Sequence, residues 1–476
     1  MSVHASVWEP ADLAALEKCE QLVLDCSGSV RDFMANESLK RCLLGEDMDA
    51  IEAGARHRLQ MELLLERLKW RSGGMAALLF TLKREDYALV ARQIEDEREK
   101  LLLCAFHTAT KGRSWKNCLE GRWLSPLHRY SDWGGVQVTE GESGQKYVTG
   151  IRLPGNNVGG QLPPSIGELH RLQILDLSSN ELEDELPTEI GSCRSLKHLD
   201  LARNSLVGAI PVSIGRCTKL RTLRLFTNAL SGTIPSTLGQ LVKLNSLRLE
   251  DNELAGALPA TIANMQRLKT FWAQRNRLSG ELPEDIGSMR SLSQLDLFAN
   301  TICGSIPISL GQCHRLLLLR LGENQLSGPL PSTIGHLRHI ERLELQGNKL
   351  SGALPDALGD CRSLRFVNLA NNKFEEGLPV SLGRLRQLEE FNISHNKLTG
   401  GVPHTLSRCT ELRKLILCHN KIGGFFPEAL HRCSRLEHFD VSFNKFEGEL
   451  PGAVRDMPTL TVCLIQNAFT IDDPHD

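Results

Sequence analysis

Long apolar runs are missing from this 476-residue sequence. The longest, such as Met75 to Phe80, fall far short of the ~20 residues that a membrane-spanning helix requires. The first residues, MSVHASVWEPADLAALEKCE, contain no unbroken apolar stretch behind a basic start, so they do not resemble a secretory signal peptide. These absences predict a chain without a membrane span and with a cytoplasmic location.

An excess of charge of one sign is also missing. Lysine and arginine number 55 against 57 aspartates and glutamates, so the total charge favours neither nucleic acid nor an acidic membrane as a partner. The sequence has no GxxxxGK[ST], HExxH or GxSxG motif, which are signatures of phosphate binding, zinc proteolysis and nucleophilic serine. We therefore expect no enzymatic activity, no cofactor and no metal.

What the sequence does contain is an internal repeat of 24 residues. Prolines recur at this spacing from Pro163 to Pro451. Asparagines recur with them and define the coils of the repeat: Asn156, Asn180, Asn204, Asn228, Asn252, Asn276, Asn300, Asn324, Asn348, Asn372, Asn396, Asn420 and Asn444. Each coil is named here by its asparagine, and positions within it are counted from that residue.

One repeat unit reads LxxLxLxxNxLxGxIPxxLGxL. Its LxL pair alternates with polar residues, which predicts a short strand with one buried face. The asparagine follows where the chain turns, and a buried amide must be hydrogen-bonded, so we expect the asparagines to form a ladder between coils. One coil cannot bury its own apolar edge, whereas stacked coils form a continuous core.

The unit resembles the plant-type leucine-rich repeat of receptor-kinase ectodomains and polygalacturonase-inhibiting proteins. This resemblance implies an α/β solenoid: a right-handed leucine-rich-repeat superhelix of about thirteen 24-residue coils with a parallel concave sheet, preceded by an α-helical N-terminal region. It also implies a second short strand near LxGxIP. The predicted domains are a helical region over 1–84, an N-terminal cap over 85–146 and the repeat domain over 147–476.

Six cysteines occupy one position of the repeat, eleven residues before the asparagine, where other coils have leucine or methionine. We interpret them as small hydrophobic core residues rather than as metal ligands or disulfide partners. They are Cys193, Cys217, Cys313, Cys361, Cys409 and Cys433. In the cap, Cys118 has no obvious partner where secreted relatives carry a cysteine pair, which favours a reducing compartment.

Four helices are predicted before the repeats, the last over about Glu85 to His107, where it shields the apolar end of the first coil. We interpret Trp115, Trp123 and Trp133 as structural parts of the cap. The first three helices are best explained as a packing extension, with dimerisation or partner binding as alternatives.

The concave face is the predicted binding surface, because side chains four and two positions before each asparagine point out of the sheet. Trp272 is the only tryptophan in the repeats, and phenylalanines and arginines surround it, a composition typical of interface hot spots. A protein or peptide partner is therefore expected. The predicted binding residues are Arg224, Phe226, Arg248, Glu250, Trp272, Gln274, Asp296, Phe298, Arg320 and Glu344.

Alternatives remain for each feature. The aromatic residues can instead stabilise the sheet by packing on arginine stems. A basic stripe before each strand can follow an anionic polymer, or can be a solvated edge balanced by acidic residues, the interpretation favoured here. His395 and His419 occupy equivalent positions and can form a metal site or a solvated rim. The expected function is a non-catalytic scaffold for protein interactions, with a secreted or surface receptor or inhibitor as the alternative.

Overall fold

The structure is a computed structural model that describes residues 64–65, 78–79, 82, 88–116, 122–125, 128–141, 144–449, 451–455, 457 and 460–469. The chain divides into two compact units, Met1–Leu182 and Glu183–Asp476. Of the first three predicted helices only Leu64 and Leu65 are described, and both are helical. The remainder of that prediction, together with Cys118, lies outside the described residues.

The first unit contains one long helix, Ala88–Ala109, called the cap helix below. Its strands and 3-10 turns follow in chain order: Gly112–Ser114 (3-10), Tyr130–Asp132 (3-10), Val136–Glu140, Lys146–Arg152, Gly159–Gly160, Pro164–Glu168 (3-10), Ile174–Asp176 and Glu181–Leu182. The strand Val136–Glu140 pairs antiparallel with Lys146–Arg152, which pairs in parallel with Ile174–Asp176.

Two carboxylates fasten the cap helix to the strand Lys146–Arg152. Asp96 accepts a hydrogen bond from the Lys146 backbone N–H at 3.1 Å, and Glu99 accepts one from Val148 at 2.9 Å. Burial raises the pKa of Glu99 to about 7, although the hydrogen bond from Val148 acts in the opposite direction. The helix therefore covers the first coil, as predicted.

The three cap tryptophans form one buried cluster. Trp115 and Trp123 meet edge to face with ring centroids 4.9 Å apart, and Trp123 lies 5.1 Å from Trp133. All three are buried. The Trp115 indole N–H donates to the Thr110 carbonyl, and that of Trp123 donates to the Gly134 carbonyl. Their structural role in the cap is confirmed.

The second unit repeats one pattern of strand, turn and 3-10 helix. Its main parallel sheet contains His198–Asp200, Thr222–Arg224, Ser246–Arg248, Thr270–Trp272, Gln294–Asp296, Leu318–Arg320, Arg342–Glu344, Phe366–Asn368, Glu390–Asn392, Lys414–Ile416, His438–Asp440 and Thr461–Cys463. Neighbouring strands pair in register at a spacing of 24 residues, for example Phe271 with Leu247. These coils form the predicted leucine-rich-repeat solenoid.

Shorter strands follow the asparagines and confirm the second strand near LxGxIP. They are Ala255–Ala257, Arg277–Ser279, Cys303–Gly304, Gln325–Gly328, Lys349–Gly352, Lys373–Phe374, Gly423–Phe425, Lys445–Gly448 and Ala468–Phe469. The 3-10 helices of this unit are Thr188–Ser192, Val212–Arg216, Ser236–Gln240, Ala260–Asn264, Glu284–Ser288, Ile308–Gln312, Ser332–His336, Asp356–Asp360, Val380–Arg384, His404–Arg408 and Glu428–Arg432, and a short α-helix covers Gly452–Arg455. In the part of the chain that the structure describes, every helix is too short or too polar to cross a bilayer.

The asparagine ladder connects neighbouring coils through both ends of each side-chain amide. Asn252 accepts a hydrogen bond from the Leu230 N–H at 3.0 Å and donates to the carbonyls of Leu225 and Leu249, each at 3.0 Å. The last rung, Asn467, comes one residue early in the repeat and still donates to the Val441 carbonyl at 2.9 Å. The predicted ladder is confirmed.

The six repeat cysteines are fully buried free thiols, as predicted. Burial raises the pKa of Cys193 to about 12 and that of Cys313 to about 11. The Cys217 thiol donates to the Ile190 carbonyl at 3.4 Å, a bond to the preceding coil. Cysteine therefore fills the core position and also adds a hydrogen bond to the preceding coil.

In most coils a glycine thirteen residues before the asparagine permits the coils to approach closely; Ala263, Ser407 and His431 occupy this position in coils 276, 420 and 444. A Cβ placed on Gly239 lies 2.4 Å from the Thr261 carbonyl oxygen of the next coil. At Gly377, which follows the strand Lys373–Phe374, the nearest such atom is 3.8 Å away. The close approach at Gly239 thus depends on glycine, whereas Gly377 has room for a side chain.

Replacing a rung of the ladder destabilises the fold. The substitution Asn252→Ala leaves the Leu230 N–H unpaired in the core and removes one of the two asparagine hydrogen bonds that each of the Leu225 and Leu249 carbonyls accepts. This costs about 1–3 kcal/mol of the free energy of unfolding. Urea unfolding followed by circular dichroism measures this loss. Asn245→Ala removes an exposed asparagine and is the matched control, with an expected change below about 0.5 kcal/mol. Equal losses for the two variants contradict the ladder.

A second prediction concerns the close approach at Gly239. Gly239→Ala pushes neighbouring coils apart and lowers the free energy of unfolding by about 1–3 kcal/mol. Gly377→Ala is the control, because its new methyl group has room. Thermal melting of both variants tests this, and a Gly239→Ala protein as stable as the Gly377→Ala protein refutes the steric argument.

The pKa of Glu99 predicts a pH dependence of cap stability. Because burial raises the pKa from 4.5 to about 7, the folded state binds the proton more tightly than the unfolded state. The contribution of Glu99 is complete below pH 4.5 and is lost as the pH rises to about 7. Glu99→Gln, which mimics the protonated form, removes this part of the decline when urea unfolding is measured across pH 4.5 to 8. An unchanged pH dependence in the variant contradicts the assignment.

Candidate functional site

The concave face of the sheet is built from alternate residues of each strand. In coil 276, Phe271 and Ala273 are fully buried in the core, so Thr270, Trp272 and Gln274 lie on the opposite face. Because the strands pair in register, equivalent residues form straight rows across the coils. These rows place the predicted binding residues on one surface.

The first cluster on this surface is centred on Arg248. Its guanidinium carbon lies 4.0 Å from the ring centroid of Phe226 and 4.6 Å from that of Trp272. The Arg248 Nε donates to Glu250 Oε1 at 2.7 Å, and Nη2 bonds the same oxygen. A guanidinium held between two rings and a carboxylate is fixed in orientation and partly desolvated, which strengthens its cation–π contacts.

Several polar atoms of this cluster are buried without a hydrogen-bond partner. They include Glu250 Oε2, Trp272 Nε1 and Gln274 Oε1. Glu250 itself is 2% exposed, and burial raises the pKa of its carboxyl group against the hydrogen bond from Arg248. Unpaired buried polar groups are costly and uncommon in folded proteins, so their grouping makes this cluster the candidate binding site.

A second cluster is centred on Arg320. Its Nη1 donates to Asp296 Oδ2 at 2.7 Å, and its Nε donates to Glu344 Oε2 at 2.8 Å. The Arg320 guanidinium carbon also lies 5.2 Å from the Phe298 ring centroid. Burial raises the pKa of Asp296, although the Phe298 N–H and Arg320 oppose it. For Glu344, hydrogen bonds from Arg342 and Arg320 outweigh burial and lower the pKa.

The structure assembles eight of the ten predicted residues into these two clusters, and a ninth, Gln274, lies on the same face of the sheet. The tenth, Arg224, instead forms an ion pair with Asp200 at 3.2 Å. The degree of exposure differs from the expectation: Trp272 is half-buried, and Glu250 and Asp296 are buried. Packing against arginine accounts for this, because each guanidinium covers its aromatic and acidic neighbours.

The sequence interpretation missed the row six positions before the asparagine. Arg342 belongs to it and connects the second cluster to Phe366, whose ring centroid is 4.2 Å from the Arg342 guanidinium carbon. Arg342 also donates to Glu344 at 2.8 Å. The two-residue alternation of a strand places this row on the same face, so the sequence contained the signal.

The rings of His395 and His419 form a stack. The His395 and His419 rings lie 4.1 Å apart and nearly parallel, and Phe443 continues the stack at 4.0 Å. Among the described residues no group of three or more histidine, cysteine or carboxylate side chains is arranged to hold a metal. Burial and the neighbouring His419 lower the pKa of His395. The stack is therefore best described as part of the aromatic margin of the sheet.

Comparisons with known proteins give the same fold. A family model described as "Leucine-rich repeat region" matches residues 151–278 and 260–470. A plant peptide hormone receptor, RGFR1 in complex with RGF2, is 33% identical with a TM-score of 0.66, and the match covers 67% of this chain and 51% of the receptor. The TDR receptor is 33% identical with a TM-score of 0.62, covering 65% and 54%.

A leucine-rich-repeat protein of Leptospira interrogans is also similar, at 30% identity and a TM-score of 0.54, covering 66% of this chain and 77% of that protein. A search of curated protein sequences gives no match. The chain spans about half the length of the two receptor structures.

The predicted cytoplasmic location is wrong. Two of the solved structures that this chain resembles are plant receptors, and they point to a secreted or cell-surface location. The cytoplasmic location was predicted from the N-terminal residues and from Cys118. Both lie outside the repeats that the family model matches. The family model spans more than half of the sequence, and the chain belongs to the leucine-rich-repeat family.

Proposed function

We propose that this protein is a secreted or cell-surface recognition module that binds a peptide or a protein segment on its concave face. The activity is binding without catalysis, in keeping with a fold that generally serves as a scaffold. No nucleic acid is expected as a partner. The observation that carries the proposal is the Arg248 cluster, with its fixed guanidinium and its unpaired buried polar atoms.

The chemistry of this cluster suits a peptide. Trp272 Nε1 is an unpaired donor, whereas Glu250 Oε2 and Gln274 Oε1 are unpaired acceptors. A peptide backbone supplies both kinds of partner at short intervals, and its side chains can pack on Phe226 and Trp272. Because these polar atoms are buried in the free protein, binding requires a small shift of the Arg248 or Trp272 side chain.

The neighbouring Arg320 cluster extends the surface with a different character. Its arginines are neutralised by Asp296 and Glu344, so it offers a fixed array of charges with little net attraction. Such an array contributes selectivity more than affinity, because a partner must match charges that are already paired. Similarity to a receptor solved with a peptide hormone supports a peptide ligand.

Peptides selected against the intact protein test the proposal. A displayed library of random 12-residue peptides is enriched on the immobilised chain, and the affinity of the enriched peptides is measured by calorimetry. Replacing Trp272 and Arg248 together by alanine is expected to weaken binding by tenfold or more, since buried aromatic and arginine anchors each contribute on the order of 2 kcal/mol.

The control is Lys414→Ala, an exposed residue farther along the same sheet, which should bind the peptides normally. Thermal melting verifies that both variants are folded. Peptides that bind the double variant as tightly as the unmodified protein overturn the proposal and leave the aromatic residues a purely structural role.

A further inference from the structure

A continuous band of positive charge lies on the segment that leads from each 3-10 turn into the next strand of the main sheet. In six consecutive coils this segment contains ten lysines and arginines and no aspartate or glutamate. We call these segments the cationic band: 192–197, 216–221, 240–245, 264–269, 288–293 and 312–317. The whole chain has a net charge of -2, so the charge is segregated and not in excess.

Nine of the ten cations are exposed, and Lys197 is half-buried. The exposed ones are Arg194, Arg216, Lys219, Arg221, Lys243, Arg267, Lys269, Arg290 and Arg315. Among the residues that the structure describes, none of these nine has a carboxylate within 4.0 Å. Their charges are therefore available to a ligand.

In the later coils the same segment also contains acidic residues, which pair with some of its arginines. Arg413 pairs with Glu437 at 2.9 Å, and Arg365 bonds Glu389 at 2.7 Å. Arg435 pairs with Glu411 as well. Each of these bridges connects residues 24 apart, so acidic and basic side chains alternate from coil to coil. Acidic residues therefore balance part of this edge locally in the later coils, whereas the segment contains none in the six earlier coils.

The arrangement of the cationic band favours a linear ligand. Neighbouring strands lie ~4.8 Å apart, so six coils place at least one cation at each step over roughly 24 Å. Like charges at this spacing repel one another, and a polyanion that lies along the band removes the repulsion and releases its own counterions. A globular partner offers no such regular repeat.

The other residues of the cationic band favour one kind of polyanion over others. The band contains no phenylalanine, tyrosine or tryptophan, so it lacks the rings on which nucleic acid bases stack. Apart from Val242 and Leu317 it exposes no large apolar side chain that would enter a membrane. A secreted or surface location also brings the protein into contact with extracellular polymers.

We propose that the cationic band binds a linear acidic polysaccharide, one that carries a carboxylate or sulfate group on successive sugars. The band is separate from the Arg248 and Arg320 clusters, which lie on the concave strands, so the inference does not depend on peptide binding. A single chain can bind both ligands, the polysaccharide on the cationic band and the peptide on the concave face.

The experiment measures the affinity of the full chain for alginate, which is carboxylated, and for dextran sulfate, with neutral dextran and poly(U) RNA as comparisons. The variant Lys219→Gln/Lys243→Gln/Arg267→Gln/Arg290→Gln removes one cation from each of four coils. We expect at least a tenfold loss of affinity for an acidic polysaccharide and a shallower dependence of log affinity on log salt, because fewer counterions are released.

The matched control is Arg365→Gln/Arg384→Gln/Arg413→Gln/Arg435→Gln, which removes four cations that are already paired in the later coils. It should bind the polysaccharide nearly as well as the unmodified chain. Thermal melting confirms that both variants fold. The inference is overturned if neither acidic polysaccharide binds, if the two variants lose affinity equally, or if poly(U) binds more tightly than both polysaccharides.

Discussion

The hydrogen bonds of the asparagine ladder are the constraint on which the rest of this structure depends. Each rung holds an N–H and a carbonyl of the preceding coil as well as carbonyls of its own, so neighbouring coils are fixed in register at 24 residues. The contact between Gly239 and the Thr261 carbonyl, and the equivalent contacts in other coils, then limit how closely neighbouring coils approach. Once the register is fixed, equivalent outward-facing residues of successive coils form a row. The side chains of such a row can change without disturbing the core.

The proposed functions belong to the concave face and to the cationic band, and these two surfaces differ in how their charged side chains are paired. On the concave face Arg248 and Arg320 are held by carboxylates and rings, so their charge is fixed in orientation and mostly neutralised. In the cationic band of the earlier coils, the nine exposed cations have no carboxylate within 4.0 Å among the described residues. The first arrangement suits selective recognition of a short segment, and the second suits electrostatic attraction of a long polymer.

The repeat was predictable because each of its positions has one physical role in every coil. The core position of Cys217, the buried Ala273 and the outward-facing Trp272 all follow from counting back from an asparagine. The burial of Glu250 and Asp296 was not predictable, because it depends on neighbouring guanidinium groups that fold over them. Phe366 was missed although its row obeys the same alternation.

By itself the sequence determined the fold, since a 24-residue period with buried leucines and asparagines permits only stacked coils. It also determined which residues share a face. Only the tertiary structure decided which charged side chains form ion pairs. A residue 24 positions away in the sequence is adjacent in space, and each charged side chain has several such neighbours with which it can pair. This pairing distinguishes the segments of the later coils, where several arginines form ion pairs, from the cationic band of the earlier coils.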